Sequence, residues 1–250
     1  MSAVSARSPR AGPVEVVTFD LDDTLWSIGP VIVSAERQMW AWFREHCPRL
    51  AERFDRERLL PIREAVVAGR PGIVHDISAL RREVLTRALL ECGYEALEAR
   101  GYAEAGFEIF MRGRHAVEYF EHVEAVLDLL AERYRLGVIS NGNADVLRLD
   151  IGTHFDFAIS AAGVGTSKPD PAMFEAALDA AGCGPERMVH VGDHHEHDVA
   201  GAQELGIRTV WFNPGRREFP GSVPASVEIA AMDELPAALA TLERSPENGR

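Results

Sequence analysis

The sequence predicts an α/β fold in which a parallel β-sheet, flanked by helices, is interrupted after its first strand by an all-helical insert. Short apolar and β-branched segments alternate with helical patterns along most of the chain, as in repeated βαβ units. Several of these segments end at a polar residue, which is typical of buried strands that deliver side chains to one edge of a sheet. One long stretch after the first such segment has helical spacing only, and this stretch is the predicted insert.

The individual elements follow from periodicity. The predicted strands are short runs of β-branched and apolar residues. The predicted helices place their apolar residues on one face, and one of them has proline in its first turn and glycine after its last residue. We predict strands at residues 14–19, 136–139, 157–160, 188–191 and 209–212, and helices at residues 31–43, 76–92, 118–130 and 171–181.

The insert divides the chain into two domains. Within it, Asp76 is placed to cap the start of a helix and Gly93 to end that helix. Both ends of the chain are polar and are expected to be disordered tails. The expected divisions are 1–13 and 243–250 for the tails, 14–28 with 119–242 for the α/β domain, and 29–118 for the helical domain.

Composition limits the partners of the chain. The 250 residues carry a formal net charge of −13, and the sequence pI is about 5.2. An acidic surface disfavours nucleic acid and anionic membranes as partners. Three widely spaced cysteines indicate reduced thiols. No uncharged apolar run approaches the roughly 18 to 20 residues of a membrane span. We therefore expect a cytoplasmic location. An anionic substrate would need a metal ion or a well-placed Lys or Arg.

Four polar features lie at or near the ends of predicted strands, where parallel strands of an open sheet bind ligands. Each feature alone is more often a turn, a cap or a solvated side chain. Their joint occurrence in one order favours a functional site. The features are the acidic run at residues 20–24, the pair Ser140 and Asn141, Lys168, and the acidic pair Asp193 and Asp198.

These features resemble the motifs of the haloacid dehalogenase-like (HAD) hydrolase superfamily, over about residues 14–239. The motifs stand in this chain as FDLDDTL, GVISNGN, SKPDP and GDHHEHD. The insert is similar to the small helical cap of the superfamily's subgroup I, and the resemblance implies a Rossmann-like core. The matching residues are Asp20, Asp22, Thr24, Ser140, Lys168, Asp193 and Asp198.

The residue types suit hydrolysis of a phosphate monoester. An aspartate can attack phosphorus and form an aspartyl-phosphate, and we expect Asp20 to do so. A second carboxyl two residues later, that of Asp22, can protonate the leaving alcohol and then activate water. Several carboxylates and a phosphate need a cation between them, and oxygen ligands suit Mg²⁺. The expected partner is therefore a small-molecule phosphate ester.

The resemblance implies a role for each motif residue. It implies that Mg²⁺ is bound by the side chains of Asp20 and Asp193 and by the backbone carbonyl of Asp22. It implies that Lys168 neutralises the phosphoryl and nucleophile charge, and that Ser140, with backbone N–H groups near Leu21 and Asn141, binds phosphoryl oxygens. Supporting roles fall to Asp198, beside Lys168 or a metal-bound water, and to Thr24.

Substrate choice is expected to reside in the cap and in the loop that follows the first motif. Trp26 has two open interpretations, packing or stacking against a flat ring. His75 is a candidate in the segment PGIVHDISALR, which is similar to that of phosphatases acting on flavin mononucleotide or phosphorylated ribitylaminouracil. His194 is a candidate beside Asp193, although the run of histidines there favours a solvated loop.

Other activities on related scaffolds remain as alternatives. Dehalogenases of the superfamily typically lack the second aspartate, so Asp22 favours phosphoryl transfer. A phosphonatase would use a cap lysine, and residues 26–121 contain none. A phosphomutase would keep the same motifs. A non-enzymatic phosphoacceptor domain would be shorter and would place its acidic pair before the phosphorylated aspartate.

Overall fold

The computed structural model describes residues 14–221 and 223–244. The chain divides into two compact units, one comprising Ile28–Val117 and the other the residues up to Ser27 together with those from Glu118 onward. These divisions lie one residue from the sequence-based ones at 29 and 118. Residues 1–13 and most of the expected C-terminal tail lie outside the described residues, but residues 243 and 244 belong to a helix and not to a tail.

The α/β unit is built on a six-stranded parallel sheet in the order β3-β2-β1-β4-β5-β6. Most of its strands are apolar runs buried along their length, because helices cover both faces of a parallel sheet. The sixth strand was not predicted, since it has three residues and a glutamate at its centre. The strands are β1 Val16–Phe19, β2 Arg135–Ser140, β3 Phe155–Ser160, β4 Met188–Gly192, β5 Arg208–Phe212 and β6 Val227–Ile229.

The strand order reverses direction between β1 and β4, which are hydrogen-bonded neighbours at the centre of the sheet. Crossovers run from β1 outward to β3 on one side and from β4 outward to β6 on the other. Such a switch point leaves a crevice outside the carboxyl ends of the two central strands, and ligands of open α/β sheets bind there. The fold therefore predicts the position of the site before any side chain is considered.

Helices connect the strands of this unit. The helix predicted at 171–181 is confirmed, with the Asp170 side chain accepting from the N–H of Ala172 at its start and Gly182 in a left-handed conformation after its end. The α-helices of this unit are α6 Val123–Ala131, α7 Ala161–Val164, α8 Pro171–Ala181, α9 Gly201–Glu204 and α10 Leu235–Arg244, numbered after five in the helical unit.

The helix predicted at 118–130 begins later than expected, at Val123. Two tertiary contacts hold the preceding residues out of the helix: Tyr119 forms an antiparallel bridge with Trp26, and the N–H of Phe120 donates to the carbonyl of Leu25 at 2.9 Å. His122 then has a φ of 69°, which a helix cannot include. Long-range pairing with the first-motif loop therefore overrides the local helical pattern.

The helical unit contains no strand among its described residues. Its helices pack around one apolar cluster that includes Phe43, Leu89 and Phe107. Asp76 caps α4 as predicted, its carboxylate accepting from the N–H of Ala79, and Gly93 has the positive φ expected after the helix. The helices are α1 Ile28–His46, α2 Pro48–Arg53, α3 Leu60–Gly69, α4 Ile77–Glu91 and α5 Ala96–Arg114, with a 3₁₀-helix at Pro71–His75.

Within the described part of the chain, no helix is both long enough and apolar enough to cross a membrane.

Candidate active site

Three of the predicted site residues lie together at the carboxyl ends of neighbouring strands. Asp20 follows β1 directly, Ser140 is the last residue of β2, and Asp193 follows β4. The N–H of Asp20 donates to the carbonyl of Val191 at 2.9 Å, so the ladder between β1 and β4 continues to the site. The crevice at the switch point is therefore lined by carboxylates and a hydroxyl.

Lys168 joins the site from a loop and bridges two carboxylates. Its Nζ donates to Asp20 Oδ1 at 2.7 Å and to Asp198 Oδ1 at 2.6 Å. Its side chain is fully buried, and it is the only lysine of the chain. Burial alone would lower the pKa of Lys168, but the charges of Asp198 and Asp20 outweigh that effect and raise it. The ammonium group is therefore held in its charged form between the two aspartates.

Asn141 fixes the loop that carries Lys168. Its side-chain amide donates to the backbone carbonyl of Lys168 at 2.9 Å and accepts from the backbone N–H of Lys168 at 2.7 Å. The Asn141 side chain therefore holds the lysine loop, while the phosphate contact predicted for Asn141 is that of its backbone N–H. The Ser140 hydroxyl accepts from the N–H of Gly142 at 3.0 Å, which leaves its own proton to be donated elsewhere.

Asp20, Asp193 and Asp198 place carboxylate oxygens within 4.8 Å of one another. Burial raises the pKa of Asp20 to about 8, and Asp198 and Asp22 add to the rise against the opposing charge of Lys168. Burial likewise raises the pKa of Asp193 to about 7, and Asp198 and Asp23 add to it. These pKa values belong to carboxyls gathered around too little positive charge.

The donor set fits a divalent cation, because carboxylate oxygens are the hard ligands that Mg²⁺ takes. Asp198 is not the natural ligand among the three. Its Oδ1 accepts from Lys168 and lies 3.2 Å from His190 Nε2, and its Oδ2 accepts from the N–H of His194 at 2.9 Å. Asp20 and Asp193 are then the side chains that would hold the ion. The Thr24 hydroxyl donates to Asp193 Oδ1 over a long distance of 3.5 Å.

Asp22 is held by the residue predicted to contact substrate. The indole N–H of Trp26 donates to Asp22 Oδ1 at 2.9 Å, and the N–H of Asp23 donates to the carbonyl of Trp26 at 2.7 Å. Trp26 is 0% exposed, so its ring packs inside the protein, which favours the packing interpretation. Asp23 has a φ of 60°, a left-handed conformation that glycine adopts more readily.

Two candidates for substrate choice remain, His194 and His75. His194 caps a π-helical turn, His195–Ala200, with its Nδ1 accepting from the N–H groups of Glu196 and His197. The prediction of a loop is therefore wrong, since the segment is helical, while its histidines remain partly exposed. Burial lowers the pKa of His194, and the neighbouring His197 lowers it further. His75 ends the 3₁₀-helix of the helical unit.

Two residues of this site were missed from the sequence. His190, on β4, is fully buried and lies 3.2 Å from Asp198 and 2.9 Å from Thr18. A Cβ added to Gly192 would overlap the Asp198 carboxyl group, so glycine is required there for Asp198 to reach Lys168. The available signal for His190 was a histidine within an apolar strand, since a buried imidazole needs hydrogen-bond partners.

A family model described as haloacid dehalogenase-like hydrolase matches residues 14–206, which include every motif described above. The chain belongs to this family. The predicted superfamily and the predicted Rossmann-like parallel sheet with a helical insert are both confirmed.

The similar proteins include enzymes named for two activities, phosphatase and dehalogenase. The chain is 33% identical over 203 residues to the Escherichia coli 5-amino-6-(5-phospho-D-ribitylamino)uracil phosphatase YigB, covering 81% of this chain and 85% of that protein. It is 36% identical over 159 residues to the phosphoserine phosphatase of Thermus thermophilus, and the match covers 61% of this chain and 61% of that protein. A solved 2-haloacid dehalogenase from Pseudomonas syringae pv. Tomato has a TM-score of 0.89 at 44% identity, covering 91% of this chain and 99% of its own. The predicted hydrolase class is confirmed, with phosphatases among the relatives.

Replacing Gly192 with alanine should separate Asp198 from Lys168. The added methyl group would occupy the space of the Asp198 carboxyl and cost about 1–3 kcal/mol of stability. Because Lys168 is the only lysine, ¹⁵N-lysine labelling gives a single Nζ signal in NMR. We expect that signal to be sharp in the wild type and broadened or lost in Gly192→Ala.

The matched control is Gly69→Ala, where an added Cβ meets nothing within 4 Å. Its Nζ signal should equal that of the wild type. If the Nζ signal is unchanged in Gly192→Ala, the contact between Asp198 and Lys168 does not require glycine at position 192.

Proposed function

We propose that the protein is a Mg²⁺-dependent phosphatase that hydrolyses a small-molecule phosphate monoester through an aspartyl-phosphate on Asp20. The observation that carries the proposal is the arrangement around Asp20. Its carboxylate is held by Lys168 at 2.7 Å, while the second carboxyl of the motif, that of Asp22, is fixed by Trp26 at 2.9 Å. The phosphatases among the relatives support the same activity.

In the first step, an Asp20 oxygen forms a bond to phosphorus and the bond from phosphorus to the leaving oxygen breaks. Asp22 gives its proton to that oxygen, which departs as an alcohol. In the second step, Asp22 takes a proton from water, the water oxygen bonds to phosphorus, and Asp20 is released as a carboxylate. A bound Mg²⁺ would supply positive charge beside the phosphoryl oxygens.

Lys168 and Ser140 bind the charge that moves during these steps. The Lys168 ammonium is anchored by Asp198 and by the Asn141 contacts to its backbone, so it needs no reorganisation when charge develops on the phosphoryl group. The Ser140 hydroxyl has its acceptor role filled by Gly142 and can donate its proton to a phosphoryl oxygen. Both groups are buried, where such interactions are stronger than in water.

Dehalogenation is the rival activity, because the solved relative at 44% identity is named a 2-haloacid dehalogenase. The two reactions differ in what leaves. A halide departs as a stable anion and needs no proton, whereas an alkoxide needs one. An acid/base carboxyl two residues from the nucleophile, held by a buried tryptophan, therefore favours phosphate ester hydrolysis.

For the substrate, we propose a monoester whose alcohol carries a flat ring, with phosphorylated ribitylaminouracil or flavin mononucleotide as the first candidates. The relative matched over 81% of the chain is named for the former compound. The helical unit also has a partly open pocket of about 470 Å³, a size that suits a small organic ligand. Aromatic, apolar and cationic side chains line it, among them Trp40, Leu60, Arg63 and Arg81.

A substrate panel tests the proposed activity. With Mg²⁺, we expect phosphate release from flavin mononucleotide and phosphorylated ribitylaminouracil to exceed that from sugar phosphates and phosphoserine by about tenfold or more in kcat/KM, because binding the ring is worth on the order of 1–3 kcal/mol. Chloride release from 2-chloropropionate should be absent. Chloride release without phosphate release would overturn the proposal, and isomer formation without free phosphate would indicate a mutase.

Asp22→Asn tests the acid/base role through the leaving group. We expect kcat/KM to fall by a factor of about 10²–10⁴ with an alkyl phosphate, whose alkoxide needs a proton. With p-nitrophenyl phosphate the fall should be much smaller, because nitrophenolate leaves readily without one. Steady-state phosphate release measures both.

The matched control is the neighbouring Asp23→Asn, since asparagine tolerates the positive φ of that position. It should stay within a few-fold of the wild type on both substrates. Equal losses on both substrates in Asp22→Asn would argue against proton transfer by this residue.

A further inference from the structure

A buried hydrogen-bonded chain runs behind the site, from the middle of β1 to Asp20. Thr18 on β1 lies 2.9 Å from Nδ1 of His190 on β4, and Nε2 of His190 lies 3.2 Å from Asp198 Oδ1. The same Asp198 oxygen accepts from Lys168, which in turn donates to Asp20. The His190 side chain is 0% exposed, so solvent takes no part in these contacts.

The contacts determine where His190 carries its proton. Asp198 is bonded to the Lys168 ammonium and to a backbone N–H, so it is ionised and can only accept. Nε2 of His190 must therefore carry a hydrogen and donate it. Burial lowers the pKa of His190, so the ring is neutral and Nδ1 carries no proton. Nδ1 then accepts the hydroxyl proton of Thr18, whose alternative acceptor, the Val189 carbonyl, lies farther away at 3.4 Å. Both ring nitrogens are satisfied in the neutral Nε2–H tautomer.

We propose that His190 is a positioning residue that fixes the Asp198 carboxylate and, through it, the place of Lys168 between Asp198 and Asp20. In this arrangement Asp198 has three donors around it: Lys168, His190 and the backbone of His194. Two of them, the His190 ring on β4 and the His194 backbone, are independent of the lysine, so they orient the carboxylate whatever the position of the ammonium group. His190 itself touches neither the substrate nor the reacting atoms.

The proposal has to be separated from simple packing, because the His190 ring also lies edge-on to Phe174, with ring centroids 5.3 Å apart. His190→Phe keeps a ring of similar shape and removes both hydrogen bonds. His190→Gln keeps a side-chain donor for Asp198. Thr18→Val removes only the hydroxyl at the far end of the hydrogen-bonded chain, whereas Thr18→Ser keeps that hydroxyl. If His190 contributed only packing, the effects of these variants on Lys168 would follow their thermal stability and not the hydrogen bonds that they keep.

NMR of the metal-free protein labelled with ¹⁵N-histidine and ¹⁵N-lysine tests the geometry without any activity. We expect the ring signals of His190, assigned by their absence in His190→Phe, to be those of a neutral imidazole with its proton on Nε2. We also expect the single lysine Nζ signal to broaden in His190→Phe and to be restored in His190→Gln. A His190 protonated on Nδ1, or on both nitrogens, would overturn the proposal, as would a lysine signal indifferent to both substitutions.

The kinetic consequence rests on the proposed phosphatase activity. With Mg²⁺ and p-nitrophenyl phosphate, at a temperature well below the unfolding midpoint of each variant, His190→Phe should lower kcat by about 10–100-fold with KM little changed. His190→Gln and Thr18→Ser should lie close to wild type, and Thr18→Val in between. An unchanged kcat in folded His190→Phe contradicts the positioning role. If the wild type itself releases no phosphate, the phosphatase proposal fails, and the NMR result still decides the role of His190.

Discussion

One buried ammonium group, that of Lys168, holds the functional edge of the sheet together. Its two carboxylate partners come from separate parts of the chain, Asp20 at the end of β1 and Asp198 on the π-helical turn after β4. Asn141, which follows β2, fixes the lysine backbone. A buried charge is tolerated only when it is paired and hydrogen-bonded, so these contacts must form together or not at all. Lys168 consequently ties the ends of β1 and β2 to the turn that follows β4.

The same constraint explains the electrostatics of the site. One ammonium group cannot neutralise three clustered carboxylates, and it stabilises the charge of Asp198 most. Burial alone would raise the pKa of Asp198, but Lys168 and His190 hold it below its usual range. Asp20 and Asp193 are left with raised pKa values of about 8 and about 7. That imbalance is the physical reason to place a divalent cation between these two and not beside Asp198. Asp198 therefore anchors only the lysine, Asp193 would hold only the metal ion, and Asp20 lies between the two, bonded to Lys168 and able to face the ion.

Local patterns were sufficient for five of the six strands and for the motif residues, because both depend on short runs of sequence. The helix Pro171–Ala181 carries its own start and stop signals. Contacts between distant segments were not readable: His190 meets Thr18 across 172 positions, and the pairing of Tyr119 with Trp26 shortens a helix whose periodicity continues further. Trp26 had two interpretations because only burial and the bond to Asp22 distinguish them. The strand Val227–Ile229 is too short to have a period.

The measurement that tests the central claim most directly is detection of the phosphorylated aspartate. Wild-type protein and the variants Asp20→Asn and Asp22→Asn are mixed with Mg²⁺ and p-nitrophenyl phosphate, quenched in acid within one turnover, and analysed by peptide mass spectrometry. The account predicts phosphate on Asp20 in the wild type, more of it in Asp22→Asn because the water-activating base is missing, and none in Asp20→Asn. Turnover by Asp20→Asn, or phosphate release with an unmodified Asp20 at every quench time, would contradict it.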